Sequence, residues 1–319
     1  MNTHLKVGAC IAVLSLSLAS CVDTRYTLRP VDLPQDLDRY LREKEAGIPG
    51  ITPGAEKVIM WAGKPGSRTP FSIIYLHGFT ATRQEVAPVY DEVAHTIGAN
   101  IFYTRLTGHG MTGDALAAAT LDDWINDTWE AYRIGERIGD RVIVAATSNG
   151  APLALWLAAQ KAPRVAALVL ASANVKPADP GAELLLWPWP VRSIILSAVI
   201  GPVRTVPARN DLDARYWTKR YPSKALVTMM ATVKLGRKVR LEGITVPSLW
   251  IYSNRDDVVS IPELKKYYAR IGSARKRLVE IPNAAGHVLA GAIMSPATTR
   301  EMASLVSSFL RETVIQGTE

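Results

Sequence analysis

Cysteine is nearly missing from this chain of 319 residues: there are two, Cys10 and Cys21, and none follows Cys21. A body without thiols forms no disulfide, no cysteine-ligated metal site and no thiolate nucleophile. Long apolar runs are scarce as well. The clearest, Val7–Ala19, is too short to span a bilayer, which takes about 20 residues. The charge balance is 37 Lys and Arg against 29 Asp and Glu, a net +8, with no basic run dense enough to hold a nucleic acid backbone. There is no His-Glu-x-x-His, no Walker-type loop, and no Gly-x-Gly-x-x-Gly with a suitable strand and helix around it, so neither metal nor cofactor is expected. Internal repeats, low-complexity tracts and heptads are also missing, and nothing in the sequence indicates an oligomeric state.

What is present begins with a targeting signal. Met1–Lys6 carries one positive charge, the apolar stretch follows, and it ends in Leu18-Ala19-Ser20-Cys21. This resembles the bacterial lipobox, in which a small residue precedes a cysteine that receives lipid. The resemblance implies a signal peptide over residues 1–20, a lipid-modified Cys21, and a protein anchored to a membrane of the bacterial cell envelope. Val22 rather than Asp after the cysteine is similar to the outer-membrane sorting pattern, should the host have two membranes. Residues 21–56, rich in Pro, Gly and charge with one short helical candidate at Leu37–Glu45, read as a tether and N-terminal clasp.

Beyond residue 57, near-continuous apolar runs recur at Val58–Trp61, Phe71–Leu76, Asn100–Leu106, Arg141–Ala146, Val165–Ala171, Ser248–Tyr252 and Arg277–Ile281. Such runs suit parallel strands covered on both faces. Helical spacing alternates with them at Thr82–Ile97, Leu121–Ile138, Gly150–Ala162, Pro262–Ile271 and Pro296–Thr313. The order predicts an α/β fold, a mostly parallel doubly wound sheet built from residues 57–173 and 245–319. The connection over 174–244 is far longer than an ordinary βα loop, and so reads as a helical lid inserted before the strand that leads to Asp256.

Ser148 lies in Ala146-Thr-Ser-Asn-Gly150, between an apolar strand and a helix of small residues, where a sharp turn would expose its hydroxyl at the sheet edge. Asp256 and His287 follow later strands, so that all three fall at the carboxyl ends, where open α/β sheets bind ligands. A serine hydroxyl needs a base, and an imidazole needs an acid to fix its tautomer.

Five pieces in order, Leu76-His-Gly-Phe-Thr, Arg105-Leu-Thr-Gly-His-Gly, Thr147-Ser-Asn-Gly, Arg255-Asp-Asp-Val-Val and Gly286-His, resemble the α/β-hydrolase superfamily. Within it they are similar to the monoacylglycerol lipase, lysophospholipase and carboxylesterase branch, over about residues 70 to 290. The resemblance implies a serine ester hydrolase with Ser148 as nucleophile, His287 as base and Asp256 as its acid. Asp257 is the fallback and Asp179 a remoter alternative. It also implies an oxyanion hole from the amides of Phe79 and Asn149, with Thr80 next in line. Ala146 departs from the family, standing where the first glycine of Gly-x-Ser-x-Gly is usual.

The implied substrate is a small acyl ester such as a monoacylglycerol or lysophospholipid. A peptidase or amidase on the same scaffold, and a non-catalytic envelope binding protein that kept the fold, are the alternatives. His77 is expected to brace the oxyanion loop, with His95 and His109 outside the chemistry. In the lid, Leu184-Leu-Leu-Trp-Pro-Trp-Pro and the following apolar stretch would line an acyl pocket, pack on the core or touch lipid. Ten basic residues from Arg204 to Arg240 would meet either water or anionic headgroups.

Overall fold

A computed structural model describes residues 22–160 and 162–316. The expected signal peptide and Cys21 lie outside the described residues. Seven strands, β1 (Val58–Met60), β2 (Thr69–Leu76), β3 (Asn100–Tyr103), β4 (Gly139–Thr147), β5 (Val165–Ala171), β8 (Ser248–Tyr252) and β9 (Lys276–Glu280), form one sheet in the order β1-β3-β2-β4-β5-β8-β9. Only β1 runs antiparallel. The seven expected strands are all present, in the mostly parallel α/β sheet that their order predicts; it is also the fold that the α/β-hydrolase resemblance implies.

Alternation along β4 shows how the two layers form. Val142, Val144 and Ala146 enter one core with Trp124 and Ile125 of the helix Leu121–Ile138 and Leu153 of the helix Gly150–Ala159. Ile143 and Ala145 enter the other, with Val89, Tyr90 and Val93 of the helix Val89–Ile97 and Val306 and Phe309 of the helix Thr299–Leu310. Both faces are therefore apolar, which is why the strands read as unbroken hydrophobic runs. Leu121–Ile138 starts as expected because Thr120 and Asp123 form a reciprocal capping box.

Two expectations need correction. The helix read over Thr82–Ile97 is two pieces, a 3-10 turn Arg83–Glu85 and the helix from Val89, because Pro88 cannot donate inside a helix. The lid contains a two-stranded antiparallel pair, β6 (Val203–Thr205) with β7 (Arg220–Pro222), beside its helices Trp189–Ile194, Asp211–Tyr216 and Ala225–Arg237. The stretch read as a tether and N-terminal clasp lies along the core from residue 22. Val22, Leu37 and Leu41 join the first cluster, Trp156 Nε1 donates to Tyr26 Oη at 3.0 Å, and Lys234 Nζ donates to the Val22 carbonyl at 2.9 Å.

The apolar lid segment divides. Leu185 is buried with Met230 and Val233, whereas Trp187, Trp189, Ile194 and Val199 are exposed. The basic excess is partly spent internally: Arg237 grips Glu183 at 2.6 and 2.8 Å, Lys219 pairs with Asp213, and Lys238 reaches Thr24. None of the described helices is long and apolar enough to cross a membrane.

Candidate active site

The turn after β4 carries Ser148 at φ 52°, a left-handed conformation that costs a non-glycine residue on the order of 1–3 kcal/mol. Neighbouring strands hold it there. The Ser148 amide donates to Ala171 O at 2.9 Å, and Ser148 O accepts from Asn174 N and Ala151 N. Gly150 is obligatory because a Cβ there would lie 2.2 Å from Leu76 O. Ala146, two residues before the serine, raises no such conflict: its methyl is fully buried in the first core cluster.

Ser148, His287 and Asp256 come together. His287 Nε2 lies 2.8 Å from Ser148 Oγ, and His287 Nδ1 lies 2.8 Å from Asp256 Oδ2. With Nδ1–H donating to the carboxylate, Nε2 is free to accept the serine proton. Asp256 Oδ1 in turn accepts from the amides of Val258 and Val259 at 2.9 and 3.1 Å. Burial pushes the Asp256 carboxyl up, but the His287 hydrogen bond and charge and these two amides outweigh it, and the group is held below the usual carboxylate range. The fallback acids are elsewhere in role. Asp257 is exposed, and Asp179, also exposed, accepts from Gly181 N at the start of the 3-10 turn Pro180–Leu186. One further strained residue supports the site. Ser172, at φ 44° after β5, donates through Oγ to the His287 carbonyl at 2.7 Å.

The loop after β2 passes beside Ser148, since a Cβ on Gly78 would lie 3.2 Å from Ser148 Cβ. His77 orients this loop. Leu106 N–H donates to His77 Nε2 at 3.0 Å, so the ring proton sits on Nδ1 and faces Gly78 O at 3.0 Å. Burial holds the imidazole neutral, its pKa pushed down to about 4. The Gly78 carbonyl also accepts from Ala81 N, and a trans peptide points its N–H opposite its C=O, so the Phe79 amide faces away from both donors. Among the described residues, neither the Phe79 nor the Asn149 amide has a hydrogen-bond acceptor. The Phe79 ring packs edge-on against His109 and Tyr221. Thr80, at φ 67°, gives its carbonyl to Thr218 N of the lid at 2.8 Å.

His109 is buried in the same aromatic group, far down from its ordinary pKa through burial and the neighbouring His77, and His95 is exposed on its helix. Among the described residues no group of His, Cys, Asp and Glu is arranged to hold a metal. Sequence reasoning missed Glu85, a fully enclosed acid whose Oε1 accepts from Gly78 N at 2.7 Å and from Tyr75 Oη at 2.8 Å. It sits in Arg-Gln-Glu, which by itself reads as a surface triplet.

A family model described as serine aminopeptidase, S33, matches residues 71–290. The chain is 24% identical over 220 residues to a thermostable monoacylglycerol lipase from Bacillus sp. (strain H-257), covering 67% of this chain and 82% of that protein. Among solved structures it resembles a chain from a study of LipS and LipT, two metagenome-derived lipolytic enzymes, with a TM-score of 0.68 at 23% identity over 82% of this chain and 99% of that one. It also resembles a soluble variant of monoglyceride lipase from Saccharomyces cerevisiae, with a TM-score of 0.58 at 14% identity over 92% and 97% of the two chains. The chain belongs to the serine aminopeptidase, S33 family, as a serine hydrolase of the α/β-hydrolase fold.

Proposed function

We propose that this protein hydrolyses carboxylic esters through an acyl-enzyme on Ser148, with a monoacylglycerol or lysophospholipid as its substrate class. The observation that carries the reading is the continuous chain from Asp256 through His287 to Ser148, with both links at 2.8 Å. Ser148 Oγ attacks the acyl carbon as His287 Nε2 takes its proton. The oxyanion is met by the amides of Asn149 and Phe79, each such donor contributing about 2.7 to 4 kcal/mol to the barrier reduction. The carbon–oxygen bond then breaks, and the imidazolium protonates the departing alcohol. Water repeats the sequence on the acyl-enzyme and releases the acid. The ester choice draws on the relatives whose names are lipases and esterases.

Peptide or amide hydrolysis is the second reading, favoured by the family's own description. The same residues would serve, with the leaving amine in place of the alcohol. A non-catalytic binding protein would have no use for a strained serine in contact with an oriented imidazole.

Anchoring through lipid on Cys21 belongs to this proposal. Val22 is held by Lys234 of a lid helix, so a lipid on the preceding residue would leave the domain on the lid's side, toward a membrane holding the substrate. Cys21→Ser is expected to release the protein from the envelope fraction; continued membrane association would remove Cys21 as the anchor.

The decisive assay pairs short p-nitrophenyl esters with matched aminoacyl amides, and a fluorophosphonate probe with Ser148→Ala. Ester turnover and labelling, both lost in the variant, are expected. Preference for the amides would establish the peptidase reading, and an unlabelled, inactive native protein the binding one.

A further inference from the structure

Of the buried acids that the mechanism above does not use, Glu45, Glu130 and Asp213 each face a cation, and Glu85 does not. Glu85 is 3% exposed, and among the described residues it has no ion-pair partner. Enclosing a carboxyl without a cation is costly, so its surroundings must offset the cost through hydrogen bonds or by keeping it protonated. Both occur. Oε1 accepts from Gly78 N and Tyr75 Oη, while burial pushes the carboxyl up to about 7 against the opposing pull of those donors and of His287.

The geometry ties this acid to both sides of the nucleophile. Tyr75 Oη also meets Thr147 Oγ1 at 2.8 Å, on the residue immediately before Ser148. The point that a Cβ on Gly78 would occupy is 3.1 Å from Glu85 Oε2 and 3.2 Å from Ser148 Cβ. The loop after His287 closes from the other direction: a Cβ on Gly291 would lie 2.3 Å from Glu85 O, and Ala292 N donates to Ala87 O at 2.8 Å. The turn carrying Glu85 is thus wedged between the oxyanion loop and the His287 loop.

We infer that Glu85 is a positioning residue: by gripping the Gly78 amide on one side while His77 and Ala81 hold the Gly78 carbonyl on the other, it aims the Phe79 amide at the oxyanion. This rests on the serine-hydrolase reading. With the Glu85 contact gone, the His77–Gly78 peptide loses the acceptor of its N–H, and the Gly78 backbone can rotate and carry the Phe79 amide with it. The loss falls on the transition state, where the oxyanion exists, and spares the ground-state ester.

The experiment compares the native protein with Glu85→Ala, Glu85→Gln and Tyr75→Phe, using a short p-nitrophenyl ester and a trifluoromethyl ketone of the same acyl group, which forms a tetrahedral adduct with the serine. Glu85→Ala is expected to lower kcat about 100-fold with KM within about twofold, and to weaken the ketone by the same factor. Glu85→Gln keeps an oxygen for Gly78 N and is expected to recover at least about tenfold of that loss. A folded Glu85→Ala with kcat within about threefold of native, a loss carried by KM, or a Glu85→Gln as slow as alanine would each overturn the inference. Should Glu85→Ala fail to fold, Tyr75→Phe decides: parallel losses in kcat and ketone affinity support the inference, and unchanged values overturn it. Native protein without turnover or fluorophosphonate labelling would instead overturn the functional reading on which this one rests.

Discussion

The Ser172 hydroxyl donates to the backbone carbonyl of His287 across 2.7 Å, joining the end of β5 to the loop that carries the imidazole. Ser172 is fully buried and holds a left-handed φ of 44° to make this contact. Ser172→Ala keeps the volume and deletes the donor, leaving the His287 carbonyl short of one partner. A lost hydrogen bond of about 1 kcal/mol corresponds to roughly a fivefold fall in kcat with KM unchanged. Steady-state kinetics on an ester substrate check it, and native kcat in the variant would show that the His287 loop is held by its other contacts.

Gly150 and Ala146 make opposite predictions at the same turn. Gly150→Ala would place a methyl 2.2 Å from Leu76 O, where backbone must move, so the variant is expected to lose its cooperative fold. Ala146→Gly restores the more usual family residue and yet removes a buried methyl and loosens a central strand. That change is expected to cost about 1–2 kcal/mol of stability while leaving kcat close to native. Urea melts with parallel kinetics distinguish the two. A gain in activity for Ala146→Gly would mean that the alanine impairs the turn.

Much of this was legible in the sequence because it depends on local pattern. Strands buried on both faces read as apolar runs, and Ser148, Asp256 and His287 each follow one of them, so topology alone brings them to one edge. What stayed hidden depends on distant partners. Glu85 gains its meaning from Gly78 and Tyr75, and only the folded chain shows that it faces inward. The composition of residues 21–56 read as a tether and clasp, but it could not show that Glu45 is enclosed with Arg105, sixty positions away. The antiparallel pair in the lid rests on two three-residue strands, Val-Arg-Thr and Arg-Tyr-Pro, too short and polar to carry an alternation.

Stability should depend on pH through buried groups of opposite sign. Burial keeps His77 neutral in the fold down to about 4, whereas an unfolded imidazole titrates near 6.5. His109 is held down in the same direction. Below pH 6.5 the unfolded chain therefore binds more protons at these sites, and their contribution, fully present above 6.5, is lost as the pH falls toward 4. Glu85 acts oppositely: its folded carboxyl titrates at about 7 against 4.5 unfolded, so its contribution is present at low pH and lost as the pH rises through 7. Two histidines against one acid give a native protein that loses stability from pH 6.5 to 4.5. Glu85→Gln removes the opposing group and should steepen that loss by about 1 kcal/mol per pH unit in urea titrations. Equal slopes would show that the Glu85 carboxyl is not held up in the fold.

Residues 22–56 carry a prediction about the fold's extent. Glu45 receives Arg105 Nε and the second guanidinium nitrogen at 2.8 and 3.0 Å, with both side chains buried. Arg105 also donates to His109 O, so the pair braces the loop on which Leu106 N–H meets His77. Glu45→Ala would strand a guanidinium in the interior, a change expected to cost about 3–5 kcal/mol, while Glu45→Gln keeps an acceptor and should cost less. By the same reasoning a chain shortened to begin at Lys57 loses Glu45 together with Leu37 and Leu41 from the core, and is expected to be insoluble or to melt well below the protein that begins at Val22. Circular dichroism melts of the two lengths decide: equal melting temperatures would return the segment to the role of a free tether, and a large fall would make it part of the hydrolase body that places the oxyanion loop.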